Sequence, residues 1–277
     1  MRSRSTAAPL MFGVLLLVAW EAVVRIFAIP SYLLPPPTIV AGRFAEAWGD
    51  GTMLRHVLPT ATELTLGGLL GGAVGLGLGV LLGLSGAARR IASPYLVAAQ
   101  STPLLALGPL FALWFGPGPV AKVVICAVIA LFPIAVATLV AVRDTPPELI
   151  ELARSLGASP RQVLLQVRLP AARAGIFGGA RVAATLAVVG AVVGEWLGAG
   201  AGLGVLVNLA RGSLFDTPLL FAALLQIALL GLAAAAEDDL ASRPSHHDNE
   251  EEHDHEDFES FSIALPVVSD PAALEDR

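Results

Sequence analysis

The sequence predicts an all-α, polytopic membrane protein with about six transmembrane helices and one cytosolic two-helix loop. Three observations predict it. Of the 277 residues, 55% are hydrophobic and only 14% charged, with a mean hydropathy of +0.73, a composition suited to lipid rather than water as solvent. Apolar runs of about 20 residues, enough to cross a bilayer, recur up to Ala236. Arginines are unevenly shared: Arg2, Arg4, Arg89, Arg90, Arg143, Arg154, Arg161, Arg168 and Arg173 fall on one side of these runs. Arg43, Arg55, Lys122 and Arg211 fall on the other, with Arg25 near the outer interface. This bias puts both chain ends in the cytoplasm. The net charge of −6 hides it, because 14 of the 23 acidic residues lie in 237–277.

Arg2 and Arg4 precede an apolar run from Ala7 to Ile29, which reads as an uncleaved first span. Glu21 and Arg25, four apart, can pair on one helical face at its far end. Pro35-Pro36-Pro37 is a rigid element before a helical pattern, Thr38 to Trp48, expected on the outer surface. A second span, Leu64 to Leu84, carries Gly67, Gly71, Gly75, Gly79 and Gly83 at intervals of four, a stripe that lets another helix approach closely. Arg89-Arg90 mark a short inner loop. A third span, Pro94 to Phe115, is interrupted by Pro103 and Pro109, and proline within a span frees carbonyls that need new partners. Gln100, Ser101 and Thr102, beside Pro103, either line a route or make helix–helix contacts. Gly116-Pro117-Gly118-Pro119 turns the chain, and a fourth span runs to Val142. A fifth, Ala174 to Leu197, holds Arg181, which either snorkels or faces a cavity, and ends in Glu195-Trp196. A sixth runs from Thr217 to Ala236.

The polar stretch Asp144 to Pro170 separates the fourth and fifth spans. Thr145 and Glu148 have the spacing of a capping box, with Pro146 as first helical residue, so a helix is expected to Gly157. Ser159 and Gln162 repeat the box around Pro160, and a second short helix should end near Arg168, before Pro170. Leu149, Leu152 and Leu156 share one face of the first helix; Val163, Leu164 and Val167 share one of the second.

Within that stretch, Glu151-Leu152-Ala153, three residues, Gly157, nine residues and Val167-Arg168-Leu169-Pro170 resemble the EAA loop of type I ABC importer permeases. Leu152 and Val167 are mild departures from the usual alanine and isoleucine. The likeness extends from about Leu34 to Ala235 and leans toward the subgroup moving sulfonates, nitrate, taurine and pyrimidine-type precursors. It implies a bacterial inner-membrane permease, multi-pass, that translocates a small polar solute. Its partners would be an ABC ATPase subunit, which uses ATP and Mg, an extracytoplasmic solute-binding protein, and a second copy in a homodimer. The coupling loop would comprise Glu151, Ala153, Gly157, Val167, Leu169 and Pro170. Gln100, Ser101, Thr102, Pro103, Arg181 and Glu195 are pathway candidates, Glu195 matching the glutamate before the family's glycine-rich segment, here Gly198 to Gly204. The parts are then 1–59, a first span and surface segment; 60–236, the permease domain; and 237–277, an acidic tail.

No G-x-x-x-x-G-K-[ST] occurs, so the chain cradles no ATP phosphates, and no cofactor or nucleic acid is expected. There is no H-E-x-x-H, G-x-S-x-G or carboxylate pair inside a span, hence no catalytic residue to name. The lone Cys126 suits packing. An ion-coupled transporter would want acids at mid-membrane, whereas Glu63 and Glu195 lie near span ends. His246, His247, His253 and His255 could hold Zn²⁺ or Ni²⁺ loosely in a tail otherwise too acidic to bury a core; they suggest a metal-responsive scaffold as the remaining alternative.

Overall fold

The glycine stripe decides how the helices pack. It lies along α3 (Thr52–Leu84), and the computed structural model, which describes residues 7–101, 104–116, 118–196 and 200–242, sets it against α6 (Pro119–Arg143). A Cβ added at Gly75 would stand 2.6 Å from the Leu131 carbonyl oxygen, and one at Gly79 would be 2.5 Å from Thr138 Cβ. At Gly67 and Gly71 the atoms met, Cys126 Cβ and the Ala127 carbonyl oxygen, are closer still. Backbone therefore touches backbone, which only a stripe without side chains permits. Gly68 and Gly77, off the stripe, would meet nothing within 4 Å. Helix α9 (Leu169–Trp196) completes the trio, with Gly175 and Gly179 against Ala141 and Ala137 of α6.

Around the other end of α3 sit α1 (Ala7–Ile26), α2 (Pro37–Gly49), α10 (Leu203–Gly212) and α11 (Thr217–Ser242). Pro36 is extended and Pro37 opens α2, where the missing proline N–H costs nothing. Glu21 accepts from Arg25 and from both the hydroxyl and the backbone N–H of Thr38, so the predicted ion pair also ties α1 to the start of α2. A core of Ala47, Met53, Leu203, Leu206, Leu219 and Ala222 joins α2, α3, α10 and α11. Arg43 bridges to Asp216 at 2.8 Å, while Asp216 also accepts from the Leu219 N–H.

Among the described residues four helices are long and apolar enough to cross a bilayer: Thr52–Leu84, Pro119–Arg143, Pro160–Trp196 and Thr217–Ala236. Only 17% to 44% of the most apolar stretch of each is buried in the protein, leaving leucines such as Leu66, Leu69 and Leu81 directed outward, as a lipid-facing surface requires.

Several boundaries depart from the sequence expectation. The second span starts at Thr52, not Leu64, with Pro59 inside the helix. Arg89 and Arg90 lie within α4 (Gly86–Ser101) rather than a loop, because Ser85 alone breaks the chain and caps the next helix, accepting from the Ala88 N–H. The third span is divided into α4, a 3₁₀ turn Leu104–Leu107 and α5 (Gly108–Phe115), which Pro109 opens.

Candidate functional site

The knob begins where α6 ends. Thr145 does not cap the first helix. A residue before proline avoids the helical region, so Pro146, preceding Pro147, stays extended (ψ 128°) and itself becomes the cap of α7 (Pro147–Ser155). Thr145 turns inward, its hydroxyl donating to the Val142 carbonyl at 3.1 Å. Helix α7 closes as expected at Gly157, with φ +82°. The Ala158 N–H reaches the Ala153 carbonyl at 3.0 Å and the Gly157 N–H reaches that of Arg154 at 2.9 Å, a Schellman closure. Ile150 is buried, whereas Leu149, Leu152 and Leu156 are 46%, 58% and 80% exposed, so the leucine face of the knob points away from the protein, flanked by exposed Glu148 and Glu151.

The second capping box forms as predicted. Ser159 Oγ accepts from the Gln162 N–H at 3.3 Å, and Gln162 Oε1 from the Ser159 N–H at 2.8 Å. The helix it starts does not stop before Pro170. Pro160–Gln162 (α8) passes into a π-helical stretch, Val163–Arg168, and then without a break into α9. In a regular helix the Pro170 ring would press on the carbonyl four residues back. The wider π turn, in which the Leu169 N–H reaches back to the Leu164 carbonyl, makes room. Of the named loop residues, Glu151 and Pro170 are exposed and Ala153, Val167 and Leu169 half-buried.

The opposite end of the trio holds a polar cluster. Glu63 of α3 is 2% exposed and pairs with Lys122 of α6 at 2.7 Å. Glu195 of α9, 1% exposed, accepts from the Thr60 hydroxyl and the Gly204 N–H, both at 2.5 Å. The Leu203 N–H donates to Thr60, and His56 Nδ1 lies 2.8 Å from the Gly202 carbonyl oxygen. Gly202 has φ +141°, and any Cβ there would collide with the Glu195 carboxyl. The cluster therefore fastens the start of α10 to α3 and α9, and within it Glu63 holds Lys122 through Oε1 while its buried Oε2 has no hydrogen-bond partner among the described residues.

The absence of a carboxylate pair expected from the sequence is thus corrected: Glu63 and Glu195 are neighbours in the folded chain. Lys122, which the charge pattern counted on the outer side, is their counter-charge. A signal existed, since the glycine stripe extended one step upstream lands on Glu63. Of the pathway candidates, Arg181 is exposed on α9 and Glu195 enclosed. Gln100 and Ser101 belong to α4, but their side chains, like Thr102, Pro103, Gly198 and the four tail histidines, lie outside the described residues.

Residues 71–240 match the family described as binding-protein-dependent transport system inner membrane component. The chain is 43% identical over 223 residues to a riboflavin transport system permease of Chloroflexus aurantiacus, covering 79% of this chain and 81% of the relative. It is 34% identical over 235 residues to a formylaminopyrimidine transport permease of Halalkalibacterium halodurans, covering 85% and 93%. Among solved structures, an inward-facing MetNI methionine ABC transporter is similar with a TM-score of 0.62 at 25% identity, covering 69% of this chain and 94% of that one.

Proposed function

This chain belongs to the binding-protein-dependent transport system inner membrane components, and from that premise we propose how it couples ATP to transport and what it carries. It is the membrane-spanning permease of an ABC importer; ATP is hydrolysed in a separate subunit, and a binding protein delivers the solute. The knob faces the cytoplasm, as do both chain ends, and two copies enclose the pathway. The leucine face of α7, with Glu148 and Glu151, docks on the ATPase. Exposed apolar surface beside charge suits such a contact.

One observation carries the coupling mechanism: the helix Pro160–Trp196 is continuous from knob to far interface. A displacement of the Pro160 end enters α9 directly, since that helix is unbroken, and a displacement of the docked α7 reaches it through the short turn at Gly157. Gly157 is the joint on the other side, setting the angle between α7 and that lever. Because α9 packs through Gly175 and Gly179 on α6, and α6 on the stripe of α3, the three move together. ATP binding then shifts the protein between inward-facing and outward-facing states by favouring one of them.

The solute we propose is small, polar and organic, of the pyrimidine-containing type. The support is the riboflavin and formylaminopyrimidine relatives, whose named cargoes share such a ring. Sulfonate and taurine permeases are more distant, at 31% identity. Purifying the partner binding protein and identifying its retained ligand by mass spectrometry tests this. A pyrimidine or fused pyrimidine is expected; a sulfonate or peptide would reject the choice.

A further inference from the structure

Between the Leu84 end of α3 and the two halves of the knob lies an open cavity of about 430 Å³. That size is in the range of small-molecule sites. Arg154, Arg161 and Arg168 line it together with Leu84, Val163 and Leu164. The three arginines come from α7, α8 and the π stretch, so the Schellman turn and the continuing helix bring them to one opening. No acid answers them there. Among the described residues none of the three makes a salt bridge or side-chain hydrogen bond, and neither Glu148 nor Glu151 lines the cavity.

Three like charges around one open cavity repel one another, and although water and salt weaken that repulsion, an anion among them turns it into attraction. Guanidinium forks match phosphate oxygens two at a time, better than any other side chain. The remaining wall is apolar: Leu84 closes a membrane-spanning helix and Val163 is 4% exposed. Such a wall suits a ligand that is part anion and part hydrocarbon.

We propose that this cavity binds a phosphate-class anion, and that its resident is the phosphodiester headgroup of an anionic lipid from the adjoining leaflet. Leu84 ends a span, so the opening lies where hydrocarbon gives way to headgroups, and basic pockets at the cytoplasmic surface hold such lipids. The lipid would tie α7 and the helix from Pro160 against α3 and so fix the rest position of the knob. The site is separate from the coupling residues, because Glu151, Ala153, Gly157, Val167, Leu169 and Pro170 do not line the cavity. It rests on the inward orientation proposed above, which side-specific labelling checks independently.

The test uses the whole permease–ATPase complex. After exchange from phosphatidylcholine bilayers doped with phosphatidylglycerol, native mass spectrometry counts the phosphatidylglycerol retained. Wild type should retain it; Arg161→Gln/Arg168→Gln should lose it by roughly thirtyfold, as expected for two arginines beside an anionic lipid surface. Arg161→Lys/Arg168→Lys, which keeps the charge, should fall between them. Arg90→Gln/Arg173→Gln removes as much charge away from the cavity and should behave as wild type. In pure phosphatidylcholine, inorganic phosphate against chloride at equal ionic strength separates the sources. Saturable phosphate binding lost in the Gln pair, without lipid retention, would keep the anion site but reject the lipid. Equal retention in wild type and the Gln pair, or neither ligand bound by wild type, overturns the proposal. So does loss of ATPase copurification in the Gln pair with lipid retention intact, which would assign the arginines to the ATPase.

Discussion

Replacing Gly157 separates backbone geometry from crowding at the joint of the knob. The residue has φ +82°, and a Cβ built on it meets nothing within 4 Å, so a side chain there is strained by its backbone alone. A left-handed conformation costs an L-residue about 1–2 kcal/mol, less for asparagine and more when the side chain is β-branched. At about 1.4 kcal/mol per factor of ten, Gly157→Ala should lower the fraction of knobs in the docking geometry by roughly fivefold to thirtyfold. Gly157→Asn should lose least and Gly157→Val most. The spans are untouched, so all three should insert normally and melt near wild type. The assay is ATP hydrolysis by the reconstituted complex, with and without loaded binding protein, beside copurification of the ATPase. The reasoning predicts graded loss in the order Asn, Ala, Val. A valine variant indistinguishable from wild type, or an asparagine variant as damaged as valine, would refute it.

Gly71→Ala and Gly75→Ala each push a methyl against a carbonyl of α6 and should destabilise the purified protein by about 1–3 kcal/mol, whereas Gly77→Ala, which meets nothing, should be neutral or slightly stabilising; thermal melts in detergent compare them. Lys122→Met leaves Glu63 charged and buried at 2% exposure, costing about 3–5 kcal/mol, and Glu63→Gln in the same chain should recover much of it; no recovery would mean that Lys122 matters for something other than this pair. A cysteine at Ser159 should react with an impermeant reagent only from the cytoplasmic side and one at Trp48 only from the other, and labelling of both from one side would reject the proposed orientation. Native Cys126, fully buried, should stay silent in that experiment.

What the sequence made legible follows the range of the interactions involved. The glycine stripe could be read because a missing side chain every fourth residue has one structural use. The Ser159–Gln162 box and the Gly157 turn are local, closed within a few residues. The Thr145–Glu148 box has the same letters but fails because Pro147 forbids a helical Pro146, a rule that acts on the residue before proline and outranks the cap. The passage through Pro170 was hidden, since a π turn leaves no pattern in a run such as Val163 to Arg168. The Glu63–Lys122–Glu195 cluster draws on three helices distant in sequence, and a reading by spans puts its members on the same side without saying which of those helices touch. The arginine cavity was missed for the same reason: three arginines assigned to the cytoplasm became one site only when the turn at Gly157 set α7 beside the helix from Pro160.

The central claim, that the knob passes ATP-driven motion into α9, is tested most directly by solute uptake into vesicles containing the permease and its ATPase. With loaded binding protein outside and ATP inside, the wild-type permease should accumulate solute, and should not when ATP is omitted even under an imposed proton gradient. Glu151→Lys, which reverses the charge beside the exposed leucines of α7, should insert normally yet abolish ATP-dependent accumulation. Uptake driven by the gradient without ATP, or full accumulation by the Glu151→Lys permease, would contradict the account.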